Sequence, residues 1–460
     1  MHDLIVTGGR ILDPVNNIEG PADLAIRDGR VSEVGRVTTG ARRTLDVGGL
    51  WILPGVIDTH THLSRHFGSG EGHRMVAETG VVTALDLAGS IDDLTAALTS
   101  GGAGLNVAFI HPLIPRDTVT SQDPDVREIE READGALTSG AIGLKILGGH
   151  YPLTPEAIGR IITAAASRRC YVASHVGSTA TGSDVRGLAE TLDLAAGRRI
   201  HIAHVNSYCR GQVTGDPAVE VQQALDLLAA RPSAVSESYL SVYNGTSAHC
   251  RDGVPTSNVT KTCLRLGGFD TNQRGLEQAI SAGFARIHRV VGGAVVLSEP
   301  ADGAAEWRAR ETDAGVSFPV NHIPSAILLA ATRRDGRFVV NGLSTDGGAI
   351  PRNFLVRHGL MLVQMGGWTL RDFVVKASVN PARMLGLPRK GHLSLGADAD
   401  ITVVDVNDGR AVWSFARGHP VLADGQVVGQ RGVLITTPRG AAFVRARSVE
   451  HEIVHQEGWN

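Results

Sequence analysis

Cysteine, lysine and aromatic residues are scarce in this chain, and each shortage closes off a class of protein. The four cysteines, Cys170, Cys209, Cys250 and Cys263, form no CxxC pair and no regular spacing. A disulfide framework is therefore excluded, and the thiols are expected to stay reduced in the cytoplasm. Aromatics, at 4%, leave the core to small and aliphatic side chains. No stretch of about 18 apolar residues occurs, so no membrane-spanning helix is expected. The opening MHDLIVTGGRILDP lacks the basic segment and apolar core of a signal peptide. Charge is also thin: 20% of residues are charged and the formal net charge is −3. No polyanion-binding field follows from that balance, and nucleic acid is not expected as a partner. Lysine is the sharpest shortage. Lys145, Lys261, Lys376 and Lys390 stand against forty arginines, so a lysine here is not generic surface filler.

Glycine, by contrast, is abundant at 56 of 460 residues, which suits many short turns between small-residue strands. Residues 1–50 read as short strands between Gly-rich and Asp-rich turns, and residues 391–436 read the same way. Two β-rich pieces at opposite ends can pair into one small β-sandwich, expected over 1–51 and 388–440, with 441–460 as a tail. Between them, apolar strand runs recur near 52–58, 81–87, 105–110, 141–147, 170–175, 200–205, 234–240 and 338–344. Helix-period segments separate most of these runs; the one at 155–168 has Thr154 as a cap and Pro155 at its first position. Strands alternating with helices argue for an α/β fold with a parallel sheet, and eight such units close a (β/α)8 TIM barrel, expected over 52–387. Residues 244–337 fit no unit of the repeat. They are expected to form a helical insertion over the barrel mouth, serving as a lid or an oligomer contact.

The residues able to do chemistry fall at the ends of those strands. His60 and His62, in LPGVIDTHTHL, are two apart, so on a strand both imidazoles share a face, and imidazole suits borderline metals. His175 ends YVASH, His204 ends IHIAHV, and Asp346 follows VVNGLS. Each alone reads as an ordinary polar residue at a strand end. Together they converge on the carboxyl edge of the barrel, where the active sites of this fold lie. Lys145 sits inside the apolar run AIGLKILGG, where a free ammonium would be desolvated. Desolvation favours the neutral amine, which can add carbon dioxide to become an anionic, bidentate carbamate able to bridge two cations.

Taken together, PGVIDTHTH, the lysine ending the fourth strand, the histidines ending the fifth and sixth, and the aspartate after the eighth resemble the amidohydrolase superfamily. The likeness is strongest to its branch of hydantoinases, dihydropyrimidinases, allantoinases and dihydroorotases. The run NPARMLGLPRKGHLSLGADADITVVD is similar to the segment by which that branch leaves the barrel for its sandwich. This resemblance implies two divalent metal ions, zinc being expected. His60, His62 and Asp346 would hold the more buried ion, His175 and His204 the second, and N6-carboxylated Lys145 would bridge both. It also implies Asp346 as the general acid/base, with His150 or Tyr151 as the hydrogen-bond donor to the oxyanion. The expected partners are a small polar substrate and further copies of the chain in a homo-oligomer.

The expected reaction is hydrolysis of a C–N amide bond. A cyclic amide or imide is favoured, because many N-acyl-D-amino-acid deacylases carry a cysteine where this chain has Lys145. Open-chain amide hydrolysis is the alternative, since isoaspartyl dipeptidases keep the lysine. Arg65 and Arg352 are candidates for holding a substrate carboxylate, although dihydroorotases place their arginine two, not three, residues after the second histidine. Other features are set aside. His451–His455 matches HExxH, but no third ligand follows it. Gly68, Gly70 and Gly72 lack the dinucleotide-binding spacing. His66, His73 and His111 read as ordinary, and His201, opposite in strand parity to His204, is expected to face the helices. A catalytically dead scaffold is disfavoured, because every position of the ligand set is filled.

Overall fold

Eight segments carry the parallel sheet that the alternating pattern predicts. They are β1 (Val56–His62), β2 (Val81–Leu87), β3 (Asn106–Leu113), β4 (Gly143–Leu147), β5 (Tyr171–His175), β6 (Ile200–Ile202), β7 (Ala234–Tyr239) and β8 (Gly342–Ser344), neighbours in that order. The structure is a computed structural model that describes residues 1–64, 70–87 and 89–455. Every residue of β2 is buried, as a parallel strand covered on both faces requires. The ring closes across the eighth segment: Gly342–Ser344 pairs with β7, while Gly347–Gly348 pairs with Thr61 and His62 of β1. Asp346 lies between these two short pairings.

Local signals set the helices around the ring. The helix Pro155–Ser167 starts as expected, with the Thr154 hydroxyl accepting from the Ala157 amide, a cap that contributes about 1 kcal/mol. Ile158, Ile161 and Ile162 enter the main apolar core, and burying each stabilises the fold by roughly 1.5–3 kcal/mol.

The two ends of the chain meet in a pair of sheets. His2–Thr7, Asp23–Arg27, Arg30–Gly35 and Ala41–Asp46 form the smaller one. In the larger, Trp51–Pro54 runs antiparallel to Ile401–Asp405, which ties the N-terminal segment to the C-terminal one. Leu24, Ile26, Ile52, Ile401 and Phe415 fill the space between the sheets. Val433–Thr436 falls within the range expected for the sandwich, yet it pairs with Asn106–Ala108 of β3. Glu450–Ile453, in the expected tail, pairs with it in turn. The chain therefore returns to the barrel sheet, beside the amino end of β3. Glu452 of the HExxH-like run is an ion-pair partner of Arg389 at 2.9 Å and of Lys390 at 3.0 Å.

The expectation of a helical insertion is corrected. Asn244–Ser247, Gly315–Phe318, Arg286–Val291 and Ala294–Leu297 form a four-stranded antiparallel sheet. Helices Asn258–Leu266, Gln273–Ser281 and Pro300–Ala309 accompany it. Leu264, Leu276, Ile287, Trp307, Val316 and Phe318 give this α/β unit an apolar core of its own. The sequence carries the signal: RIHRVV and AVVL flank Gly292 and Gly293, whose positive φ of 61° and 78° close a two-residue hairpin turn. That hairpin reaches helix Glu71–Ala77, where Val295 packs with Met75 and Ala349.

Candidate active site

One cavity at the carboxyl ends of the barrel strands is lined by His60, His62, Lys145, His175, His204 and Asp346, together with His150 and Tyr151. Asp346 Oδ1 lies 3.2 Å from His60 Nε2 and 2.9 Å from His62 Nε2. One ligand atom from each of these three residues lies within 4.8 Å of the others, close enough for a single ion to be shared. His60 stacks on His204 at 5.0 Å between ring centroids, and His204 meets His175 edge-on at 4.4 Å.

Two of these residues reach the cavity through unusual backbone. His204 and Asp346 have left-handed φ of 32° and 49°, uncommon for residues with a Cβ. Strand β6 ends at Ile202, so alternation no longer governs where His204 points. This overturns the expectation for His201. His201 pairs with Ala173, and Ala173 pairs with Lys145, so it shares the inward parity of the lysine. Its Nδ1 is 2.8 Å from Tyr171 Oη, inside the barrel rather than against the helices.

Electrostatics single out Lys145. Its Nζ is buried and has no hydrogen-bond partner among the described residues. Burial pulls its pKa down to about 8, against the attraction of Glu237 and Asp346. His204 Nδ1 is likewise buried without a partner, and burial holds both His175 and His204 well below the usual imidazole range. Neutral imidazoles keep a lone pair to donate. Buried polar atoms without partners are costly and rare. Beside the His60–His62–Asp346 group they are nitrogens of the types that bind or bridge cations, so the donor set fits a metal centre.

Asp346 behaves differently. Burial acts to raise its pKa, but the Arg352 guanidinium and then His60 outweigh that and hold it well below the usual carboxylate range. Arg352 Nη2 is 2.5 Å from Asp346 Oδ2, and its Nε donates to the Asp346 carbonyl at 2.6 Å. Arg352 is 2% exposed, and it is not among the residues lining the cavity. Arg65 lies outside the described residues. Of the oxyanion-donor candidates, both of which line the cavity, His150 has its ring 4.6 Å from that of His175. Tyr151 packs against Ile114 and Leu147.

Comparison with known proteins places this geometry. A model of the amidohydrolase family matches residues 238–437. An allantoinase from Deinococcus radiodurans is 26% identical over 97% of this chain and 99% of its own length. A dihydroorotase from Geobacter metallireducens is 23% identical over 90% of this chain and 91% of its own. Among solved structures, an N-acyl-D-glutamate deacylase from Bordetella bronchiseptica superposes with a TM-score of 0.69 at 18% identity, covering 94% of this chain and 98% of that one. A D-hydantoinase superposes with a TM-score of 0.60 at 18% identity, covering 94% and 98%.

The chain resembles the amidohydrolase superfamily.

Sequence reasoning overlooked Glu237, the fully buried carboxylate of β7. Its Oε1 is 2.8 Å from His60 Nδ1 and accepts from the His204 amide at 2.6 Å, and its Oε2 accepts from Ser344 Oγ. Burial acts to raise its pKa, but His60 and His201 outweigh it, so the pKa is lowered. A glutamate inside the strand run AVSESYL was the available signal. Asp58 stands two residues ahead of His60 on β1. It accepts from the His60 amide at 3.1 Å and from Thr345 Oγ1 at 2.5 Å, which braces β1 against the segment carrying Asp346. The insertion also supplies wall residues that the sequence did not suggest: Asn244–Ser247, His288 and Gly315.

Proposed function

We propose that this amidohydrolase opens a small cyclic amide or imide ring at a two-metal centre. His60, His62 and Asp346 would hold one cation, and His175 and His204 the other. Lys145 would join them after its neutral amine adds carbon dioxide: the nitrogen bonds the carbon and one proton leaves, giving N6-carboxylysine. The observation that carries this reading is Lys145 itself, whose Nζ is buried, without a hydrogen-bond partner among the described residues, in the same cavity as His60, His62, His175, His204 and Asp346. The cations, taken to be zinc, would when bound acidify water and polarise the substrate carbonyl.

The chain's own residues supply the rest. Asp346, kept ionised by Arg352, would take a proton from the attacking water and deliver it to the leaving nitrogen. His150, with Nδ1 3.0 Å from Ser257 Oγ, or Tyr151 would donate to the oxygen that becomes negative. Arg352 acts in this reading by positioning Asp346 rather than by holding substrate. Likeness to an allantoinase over almost the whole chain supports ring opening. The open-chain reading, deacylation of an N-acyl amino acid, draws support from the structural likeness to the N-acyl-D-glutamate deacylase. We further take the protein to work in the cytoplasm, where its four free cysteines stay reduced, as a homo-oligomer with neither membrane nor nucleic acid as partner. Among the described residues, no helix is long and apolar enough to cross a membrane.

The test is elemental analysis joined to a substrate panel. Active protein should carry up to two divalent ions per chain, and it should hydrolyse hydantoins, dihydropyrimidines or cyclic imides faster than N-acyl amino acids. An active preparation free of metal would end the metal reading. Faster turnover of N-acyl amino acids or β-linked dipeptides would transfer the assignment to open-chain amides.

A further inference from the structure

We infer that Tyr239 and Asn321 are positioning residues: they join the two ends of the insertion to Arg352, and through Arg352 they set the orientation of Asp346. The inference rests on the reading of Asp346 as metal ligand and acid/base. It goes beyond that reading by making the insertion part of what holds the carboxylate in place.

Asp346 needs holding. Its φ of 49° lies in the left-handed region, which a residue with a Cβ keeps only where its surroundings over-determine it. The pairings on either side, Gly342–Ser344 with β7 and Gly347–Gly348 with β1, leave the residue itself outside the ladder. Arg352 supplies the constraint at both ends of the residue. Its Nε donates to the Asp346 carbonyl at 2.6 Å, and its Nη2 meets Oδ2 at 2.5 Å. A planar guanidinium fixes direction as well as distance, so the carboxylate points where Arg352 directs it.

Arg352 is held in turn from behind. It lies over the Tyr239 ring at 4.6 Å, and its Nη1 donates to Tyr239 Oη at 3.2 Å and to the Tyr243 carbonyl at 2.9 Å. These partners form the neck of the insertion: Tyr239 ends β7, and Tyr243 directly precedes the wall strand Asn244–Ser247. Asn321, after the returning strand Gly315–Phe318, closes the neck. Its Nδ2 donates to Tyr239 Oη at 2.8 Å, to the Ser241 carbonyl at 3.0 Å and to the Tyr243 carbonyl at 3.1 Å. Arg210 pins the entering and returning segments together, donating from Nη2 to Asn244 Oδ1 at 2.8 Å and to Asn321 Oδ1 at 2.7 Å.

Tyr239, Asn244, Asn321 and Arg352 are all buried, and a buried polar group that loses its partner is costly. The network therefore favours one arrangement, and it runs without a break from the neck to Asp346. Beyond the neck the insertion carries the wall residues Thr246, Ser247 and His288. A shift of that wall at its root is a shift of Arg352, and of Asp346 with it.

The experiment uses the full-length protein loaded with cobalt, which takes imidazole and carboxylate ligands and whose visible spectrum reports their placement. Tyr239→Phe keeps the ring under Arg352 and removes Oη, and Asn321→Ala unties the neck. Both should lower cobalt affinity and kcat about tenfold, the scale of disturbing a group that orients a ligand. Both should also alter the visible spectrum while KM stays within about twofold, the pattern of an interaction lost from the transition state rather than from substrate binding. Unchanged affinity, spectrum and kcat in Tyr239→Phe overturns the inference, even if Asn321→Ala does not fold. A rise in KM with kcat unchanged overturns it too, because the network would then shape the wall alone. If no amide of the panel above is turned over, affinity and spectrum decide by themselves. An unmutated protein that takes up no cobalt would refute the two-metal reading and this inference with it, whereas cobalt-loaded variants that match the unmutated protein refute the coupling alone.

Discussion

At the scale of single residues, the site depends on buried polar atoms whose partners are fixed, or missing, by design of the fold. Glu237 holds the His60 ring from behind and receives the His204 amide, so it orients two proposed ligands without touching substrate. Glu237→Gln keeps the shape and loses the charge. It should weaken metal affinity roughly 10–100-fold, the usual cost of disturbing a group that orients a ligand. A metal titration by calorimetry reads the affinity directly, and unchanged affinity would limit Glu237 to a packing role. Lys145→Ala removes the proposed bridge and should cost more activity than Glu237→Gln. Added acetate or propionate with metal should restore part of it, because a short acid can occupy the vacated space. A variant with full activity, or one indifferent to added acid, would show that no carboxylated lysine is needed.

At the scale of elements, the insertion is a wall of the active site as well as a unit with its own core. Its hairpin, Arg286–Val291 and Ala294–Leu297, is held down by Val295, whose amide lies 3.1 Å from Met75 Sδ and whose side chain packs with Ala349. Val295 is 2% exposed. Val295→Asp would bury a carboxylate in that contact, which folding cannot tolerate without paying in desolvation, so the hairpin should lift. Because His288 of the same hairpin lines the cavity, KM should rise about tenfold, or ~1.4 kcal/mol, while the barrel's melting temperature changes little. Steady-state kinetics beside a thermal melt separates the two effects. An unchanged KM would mean that the hairpin does not shape the substrate's surroundings.

At the scale of the whole molecule, stability should depend on pH through His73, which does not line the cavity. Both ring nitrogens of His73 are buried without a hydrogen-bond partner among the described residues, and burial lowers its pKa to about 4. The unfolded chain takes up that proton near pH 6.5, whereas the folded one resists it until about pH 4. Protonation therefore favours unfolding as pH falls through this window. The loss should begin below about pH 6.5, level off near pH 4 and reach up to ~3 kcal/mol. His73→Leu retains the apolar packing and should flatten that part of the profile. Urea denaturation at pH 7 and pH 4.5 measures it, and equal pH dependence in both proteins would refute the assignment. A second whole-molecule contact joins distant parts of the chain: Lys390 pairs with Asp398 and Asp400 at 2.9 Å and with Glu452 at 3.0 Å.

Much of this was legible in the order of residues, for a physical reason. Strand and helix periods, caps and turns are local, so the eight barrel strands and the capped helix at Thr154 could be read directly. The candidate ligands were legible too, because a parallel barrel brings the carboxyl ends of all its strands to one face, whatever their separation in sequence. Where local order ended, the reading failed. Alternation misplaced His201, because His204 leaves β6 through a left-handed turn that only the closed barrel imposes. The insertion was read as helical because its antiparallel pairs join residues as far apart as Asn244 and Phe318. Glu237 passed unnoticed because its importance lies in facing His60 across 177 residues of chain. The sequence by itself determined the set of chemical groups and the periodicity of the elements that carry them. Tertiary structure alone decided which of those groups face one another, which charges cancel, and that Arg352 meets Asp346 rather than the cavity, because desolvation and Coulomb energies depend on distances that only the folded chain defines.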